Sequence, residues 1–193
     1  MNQAGQLYEF VYRGQLADAA LDIAGRPSRY SSDVDLEEVT ETLSVDLFDP
    51  ELMEPARRMA IVYQVIAAFE NGVREFVLKV LVEAHGDEWW ERGVSEKIRK
   101  FADSRRNDEE KNRWHGTRSD GLLGYTELGH LVDIMRNNWE CFEPYVTRID
   151  WAASIFAGIE RSRNVIMHSG VLAIEDVERL GIYVRDWIKQ VGL

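Results

Sequence analysis

The segment between Asp49-Pro50 and Gly86 constrains the fold more than any other part of the sequence. Asp49 can accept a hydrogen bond as an N-cap residue, a proline fits the first turn of a helix, and Gly86 favours a helix end. The apolar residues between these points recur at helical spacing over a broad face: Met59, Val62, Val65, Ile66, Phe69, Val73, Phe76, Val77, Val80 and Leu81. A face this broad predicts one long helix, ending near Ala84, that packs on more than one side.

The other apolar residues also follow helical spacing, and no Asn-Gly or Asp-Gly turn joins two alternating, strand-like runs. Further helices are predicted at residues 5–23, at residues 36–43, from residue 95 onwards, from residue 126 towards residue 146, at residues 151–168 after a cap at Asp150, and at residues 174–191. The predicted fold class is therefore all α, an antiparallel four-to-five-helix bundle with extra N-terminal helices. The predicted domains are an N-terminal extension over residues 1–48 and the bundle over residues 49–193.

Charge is distributed unevenly along the chain. The sequence has 23 Lys and Arg against 34 Asp and Glu, which gives a formal net charge of -11. No base lies between Arg29 and Arg57, where nine acids concentrate: Asp33, Asp35, Glu37, Glu38, Glu41, Asp46, Asp49, Glu51 and Glu54. The bases are densest from Lys97 to Arg118. Such patterns are common on solvated helix faces, so charge alone selects no partner, and the acidic segment could flank a site or cover it.

No pattern in the sequence indicates secretion, membrane insertion, a metal or a cofactor. Cys141 is the single cysteine and cannot form an internal disulfide, and no basic-then-apolar leader follows Met1, so we expect a cytoplasmic protein. The longest apolar runs are too short to span a membrane. An H-x-x-x-H motif, a cysteine pair and a P-loop are all absent from the sequence. The six tryptophans have core or interface spacing, with Trp89 and Trp90 as the candidates for stacking on a base.

A cluster of polar residues ends the otherwise apolar helix predicted at residues 151–168. Arg161 and Asn164 lie on the same helical face as His168, whereas Arg163 lies about 140° round and can reach across with its long side chain. Arginine and histidine in a last turn also stabilise a helix C-terminus through its dipole. The spacing by itself therefore fits a purely structural role as well as a site.

The string Arg163-Asn-x-x-x-His168, near the end of the penultimate helix of a predicted bundle, resembles the Arg-x4-6-His signature of HEPN domains. Glu70 followed by Arg74 in Phe69-Glu-Asn-Gly-Val-Arg-Glu-Phe76 is similar to an early bundle helix of the branch related to the Swt1 endoribonuclease. The Trp89-Trp90 pair and the stretches at residues 120–131 and 138–142 follow the order of that branch. The resemblance covers about residues 50–193, and residues 1–49 lie outside it.

This resemblance implies a metal-independent endoribonuclease that works as a homodimer, in which two copies of the helix ending at His168 form one cleft. The RNA 2'-hydroxyl would attack its adjacent phosphate and leave a 2',3'-cyclic phosphate. His168 would act as general acid or base, Arg163 would hold the phosphoryl oxygens, and Asn164 would orient the imidazole or the phosphate.

Glu70, Arg74 and Arg161 are the candidates for supporting roles, although the first two also fit an ordinary helix salt bridge. A toxin, phage-defence or RNA-processing role would follow, with RNA as the substrate and an antitoxin or regulatory protein as a further partner. The alternative is a non-catalytic HEPN module that binds a protein or nucleotide partner. Overall acidity favours that alternative, and the joint presence of Arg163, Asn164 and His168 argues against it.

Overall fold

The computed structural model describes residues 36–112, 114–119 and 121–192, and none of these residues lies in a β-strand. The α-helices are α1 (Leu36–Thr42), α2 (Pro50–His85), α3 (Trp89–Gly93), α4 (Glu96–Glu110), α5 (Leu128–Asn137), α6 (Trp139–Phe142), α7 (Ile149–Met167) and α8 (Ile174–Val191). Short 3-10 helices occupy Val45–Leu47, Gly86–Glu88 and Leu122–Tyr125. The predicted all-α helical bundle is confirmed.

The chain separates into two units, Met1–Asp49 and Pro50–Leu193. In the first unit the described residues form α1 and the 3-10 helix that follows it, with Ser44 between them in the left-handed conformation (φ 51°). The predicted helix at residues 36–43 is confirmed, but its apolar residues Leu36 and Leu43 are exposed. The helix predicted at residues 5–23 lies outside the described residues.

Helix α2 is the central element of the second unit and has the bounds that its sequence predicts. Its side chains Ile66, Val73, Val77 and Leu81 are completely buried. The chain leaves the helix through Gly86, whose φ of +60° is a conformation that glycine adopts without steric cost. The broad apolar face thus places α2 in contact with α3, α5, α6 and α7.

An aromatic cluster around Trp187 joins α2, α7 and α8. The Trp187 ring lies 6.1 Å from Phe69, 5.8 Å from Phe76 and 4.9 Å from Phe156, in edge-to-face arrangements. Trp151, at the start of α7, stacks on the same ring at 6.0 Å. Edge-to-face and offset-stacked contacts are the favoured arrangements of aromatic pairs, so this cluster fixes the mutual position of the three helices.

Two helix boundaries differ from the prediction. The helix predicted from residue 126 to residue 146 is interrupted at Asn138, because its side-chain Nδ2 donates hydrogen bonds to the carbonyls of Gly93 (2.7 Å) and Ile134 (2.8 Å). The N-cap residue of α7 is Arg148, not Asp150. Asp150 lies in the first turn instead, where a carboxylate stabilises the helix dipole.

Candidate functional site

The polar cluster predicted from the sequence begins at the C-terminus of α7, which ends in a Schellman motif. His168 is the C-cap residue, and Ser169 after it takes the left-handed conformation (φ 61°). The backbone N–H of Gly170 donates to the Val165 carbonyl at 2.8 Å, and that of Ser169 donates to the Ile166 carbonyl at 2.9 Å. This hydrogen-bond pattern is the one that defines the motif, so the backbone at His168 has a fixed position.

Glycine is required at position 170 by the closeness of the backbone. A Cβ atom there would lie 2.9 Å from the Val165 carbonyl oxygen and 2.7 Å from its Cγ1. The turn after His168 can therefore close only without a side chain at this position. A substitution at Gly170 would displace the neighbouring histidine as well.

The side chains of Asn164 and His168 are exposed at this end of the helix. Within the part of the chain that the structure describes, neither side chain makes a hydrogen bond or an ion pair. Arg161 is placed elsewhere, because its Nε donates to the Ala157 carbonyl of its own helix at 3.3 Å. It lines a different cleft, beside Gly158 and Tyr183.

Arg163 turns to the opposite side of α7 and meets Glu70 of α2. Its Nε lies 3.2 Å from Glu70 Oε1, while Arg74 Nη2 donates to Glu70 Oε2, also at 3.2 Å. Glu70 is only 8% exposed, so its carboxylate is buried between two guanidinium groups. Arg74 also donates to the Asn71 side chain (3.2 Å) and to the Thr126 carbonyl (3.4 Å). The predicted Glu70/Arg74 pair is thus present and is extended to Arg163.

The contact between Arg163 and Glu70 is an ion pair without the directionality of a hydrogen bond, because Glu70 Oε1 has no hydrogen-bond partner among the described residues. A buried carboxylate costs several kcal/mol to desolvate unless cations compensate it. The two arginines supply this compensating charge from both sides of the Glu70 carboxylate. The ion pair is formed through Nε of Arg163, and its two Nη nitrogens make no hydrogen bond with a described residue.

These residues line a cleft of about 320 Å³, which we call the arginine cleft. Its walls carry four arginines and three glutamates: Arg74, Arg105, Arg118, Arg163, Glu70, Glu127 and Glu160. Arg105 pairs with Glu127 at 2.6 Å and Arg118 pairs with Glu109 at 2.9 Å. Planar guanidinium groups bind phosphate and carboxylate oxygens through paired N–H donors, so the chemistry of the cleft suits an anion.

Met167 lines the arginine cleft and also a larger, apolar cleft of about 720 Å³. The walls of the apolar cleft come from the start of α2 and the end of α7: Leu52, Pro55, Ala56, Met59, Ala60, Tyr63, Ile166, Met167, Ser169, Gly170 and Val171. His168 directly follows the residue that the two clefts share. The structure therefore brings together Glu70, Arg74 and Arg163, whereas His168 and Asn164 are exposed at the end of α7 and line neither of these clefts.

Arg105, Arg118, Glu127 and Glu160 were missed as site residues in the sequence. The concentration of bases at residues 97–118 was the available signal, but the ion pair between Arg105 and Glu127 joins residues that are 22 positions apart in sequence. The prediction that Trp89 and Trp90 are the tryptophans available for stacking was wrong. Trp90 is buried and Trp89 packs on the core, whereas Trp114 is 84% exposed.

The structure holds no group of three or more His, Cys, Asp or Glu side chains suited to a metal ion, as far as its described residues extend. Over the same residues, no helix combines the length and the apolar character needed to cross a membrane.

The sequence model of the Swt1-like HEPN family matches residues 64–192. The chain belongs to the Swt1-like HEPN family. No curated protein and no solved structure matches it. The matched region of this HEPN chain contains Glu70, Arg74, Arg163, Asn164 and His168. HEPN domains are often ribonucleases, commonly bind RNA and often form dimers. The arginine cleft and His168 are the parts of this HEPN bundle with the chemistry for such a role.

Proposed function

We propose that this HEPN chain is a metal-independent endoribonuclease that acts in the cytoplasm in a toxin, phage-defence or RNA-processing role. The observation that carries the proposal is the placement of Arg163. Its Nε is paired with the buried Glu70 carboxylate, so its two Nη nitrogens remain available to phosphoryl oxygens. Arg74 binds the other oxygen of the same carboxylate and holds it in position.

His168 supplies the acid–base chemistry in this proposal. An imidazole can gain or lose a proton near neutral pH, and the side chain is exposed at the end of α7, where a substrate can reach it. Asn164, one turn earlier and also exposed, can orient the imidazole or the phosphate through its amide.

The reaction begins when one imidazole takes the proton of the RNA 2'-hydroxyl. The 2'-oxygen then forms a bond to the adjacent phosphorus, and the bond from phosphorus to the 5'-oxygen of the next nucleotide breaks. A second imidazole donates a proton to that leaving oxygen. The products are a 2',3'-cyclic phosphate and a 5'-hydroxyl, and Arg163 stabilises the negative charge that builds on the phosphoryl oxygens.

A homodimer provides the two imidazoles that this sequence of steps needs. A two-fold axis near the end of α7 would bring His168 of both copies to one cleft. The apolar cleft beside His168 and the half-exposed side chains Met167 and Val171 offer apolar surface for that contact. An antitoxin or regulatory protein would act by covering the same end of the bundle.

The test is cleavage of total RNA in EDTA by the wild type, His168→Ala and Arg163→Ala. We expect each variant to lose at least about 100-fold in rate, because general acid–base catalysis and oxyanion stabilisation each contribute that much. We also expect His168→Ala to melt like the wild type, since this exposed side chain makes no polar contact with the described residues. Arg136→Ala is the control, because Arg136 is an exposed, ion-paired arginine on α5.

Three outcomes would contradict the proposal. A folded His168→Ala variant that cuts at the wild-type rate would remove the active-site assignment. Products with a 5'-phosphate would indicate an activated water as the nucleophile. A monomer by light scattering at micromolar concentration, with full activity, would remove the composite site.

The acidity of the chain favours a second candidate, a non-catalytic HEPN module that binds a protein or nucleotide partner. Its net charge of -11 disfavours long contacts with polyphosphate. An inactive wild type that still forms a dimer would support this candidate.

A further inference from the structure

A second cleft, which we call the Trp114 cleft, adjoins the arginine cleft. It has a volume of about 660 Å³ and is lined by the end of α4 and the loop after it: Arg105, Asp108, Glu109, Asn112, Trp114, His115, Gly116 and Arg118. Arg105 and Arg118 line both clefts. The two clefts therefore adjoin at these two arginines, and we call the pair of clefts the groove.

Carboxylates orient the two shared arginines but do not use all of their guanidinium hydrogen-bond donors. Arg105 donates a hydrogen bond from Nη2 to Glu127, and its guanidinium lies 4.3 Å from the centre of the Phe101 ring. Arg118 forms an ion pair with Glu109 through Nε, and its backbone N–H donates a hydrogen bond to the same carboxylate at 3.1 Å. Among the described residues, none accepts a hydrogen bond from Nη1 of Arg105 or from either Nη of Arg118. Both arginines can therefore bind a phosphate while they keep these ion pairs.

Trp114 is the most exposed large apolar side chain in the described part of the chain. The other five tryptophans are buried or packed against the core. The Trp114 ring lies 5.5 Å from the His115 ring in an edge-to-face arrangement, and with 84% of the residue exposed most of the indole surface is open to a ligand. An open indole beside arginines has the composition of sites where single-stranded nucleic acids stack their bases.

We propose that this groove binds single-stranded RNA on one side of the cleaved bond, with Arg105 and Arg118 on its phosphates and Trp114 stacked on a base. The inference deepens the proposed function and rests on it. A single strand is required because stacking on Trp114 needs an unpaired base. The acids beside the arginines keep the number of phosphate contacts small, so base stacking supplies much of the affinity and the salt dependence is shallow.

The experiment measures binding of a fluorescent 2'-O-methyl RNA oligonucleotide of about 10 nucleotides, which cannot undergo 2'-hydroxyl attack and matches typical single-strand sites. We expect Trp114→Leu to weaken binding by about 5- to 100-fold, because one base–aromatic stack contributes that much. Trp114→Tyr keeps an aromatic face and should retain most of the affinity. Since Trp114 is exposed, neither substitution should unfold the bundle.

Arg118→Ala tests the phosphate contact. We expect the slope of log K against log salt to become shallower by about 0.7, the value for one phosphate of a single strand. Arg136→Ala is the matched control, because the Arg136 side chain is 51% exposed and ion-paired, against 52% for Arg118. The control should bind with the wild-type affinity and slope.

The outcomes separate this inference from the proposed function. Trp114-dependent binding by a wild type that does not cut RNA would support the groove and overturn the nuclease. His168-dependent cleavage with wild-type binding by Trp114→Leu and Arg118→Ala would overturn the groove and leave the nuclease. Equal affinity for duplex RNA, or no binding of the oligonucleotide by the wild type, would also contradict the proposal that the groove binds single-stranded RNA.

Discussion

Phe69 and Glu70 are neighbours in α2 and are almost equally buried, at 6% and 8% exposed, yet their surroundings differ completely. Phe69 packs edge-to-face on Phe156 at 5.6 Å and on Trp187, inside the aromatic cluster. Glu70 lies between two arginines at the arginine cleft. Apolar burial is non-directional and scales with area, whereas a buried carboxylate is stable only beside its cations. One helix thus stabilises the fold through one residue and organises the candidate site through the next.

The largest effect on stability is expected from Phe69→Ala. Removing this ring leaves a cavity beside Phe156 and Trp187, and such truncations cost about 3 to 5 kcal/mol. Urea denaturation measures the loss in the free energy of unfolding. Ile61→Ala on the same helix is the control, because Ile61 is exposed and should change stability by less than about 0.5 kcal/mol. Equal losses for the two variants would mean that the aromatic cluster is not the core.

A smaller loss of stability, about 1 to 3 kcal/mol, is expected from Glu70→Gln, because the amide keeps the shape but no longer compensates the two guanidinium groups. RNA cleavage should also fall, since Arg163 loses the partner that holds it. Glu75→Gln, at an exposed position of α2, is the control.

A double-mutant cycle between Glu70→Gln and Arg163→Ala isolates the ion pair from other effects of the two substitutions. The combined loss of stability should be smaller than the sum of the single losses. Strict additivity would show that the pair is not formed in solution.

The smallest effect is expected from Tyr125, a buried residue between Gly124 and Thr126, which line the arginine cleft. Burial, and secondarily the nearby Glu109 carboxylate, raise the pKa of Tyr125 above its usual value of about 10. Above that pH the unfolded chain releases the tyrosine proton while the folded chain keeps it, so stability falls as pH rises towards the folded pKa.

Tyr125→Phe should reduce this alkaline decline in the free energy of unfolding, by at most about 1.4 kcal/mol per pH unit. Thermal melts at a series of pH values above about 9 measure it. Tyr145→Phe, at a more exposed position against the aromatic cluster, is the control. If the decline in stability persists unchanged in Tyr125→Phe, a residue other than Tyr125 is responsible for it.

The fold was largely predictable because its signals are local. The caps and the apolar period of residues 50–85 depend only on neighbours in sequence, and the bounds of α2 and α8 agree with their predictions. The break at Asn138 was not predictable in the same way, since it depends on a hydrogen bond to the Gly93 carbonyl. The candidate site was predicted from residue types near the end of α7, and the family match covers those residues.

The sequence by itself determined the all-α class, the long central helix and the end-of-helix position of Arg163 and His168, because the spacing of residues within single helices decides each of them. The family followed from short motifs spread over about residues 50–193. Only the tertiary structure decided that Arg163 pairs with Glu70, that Arg161 turns away from them, and that Trp114 is exposed at the end of a groove. Those outcomes depend on which elements the aromatic cluster brings together. Contacts between residues distant in sequence leave no periodic pattern from which they could be read.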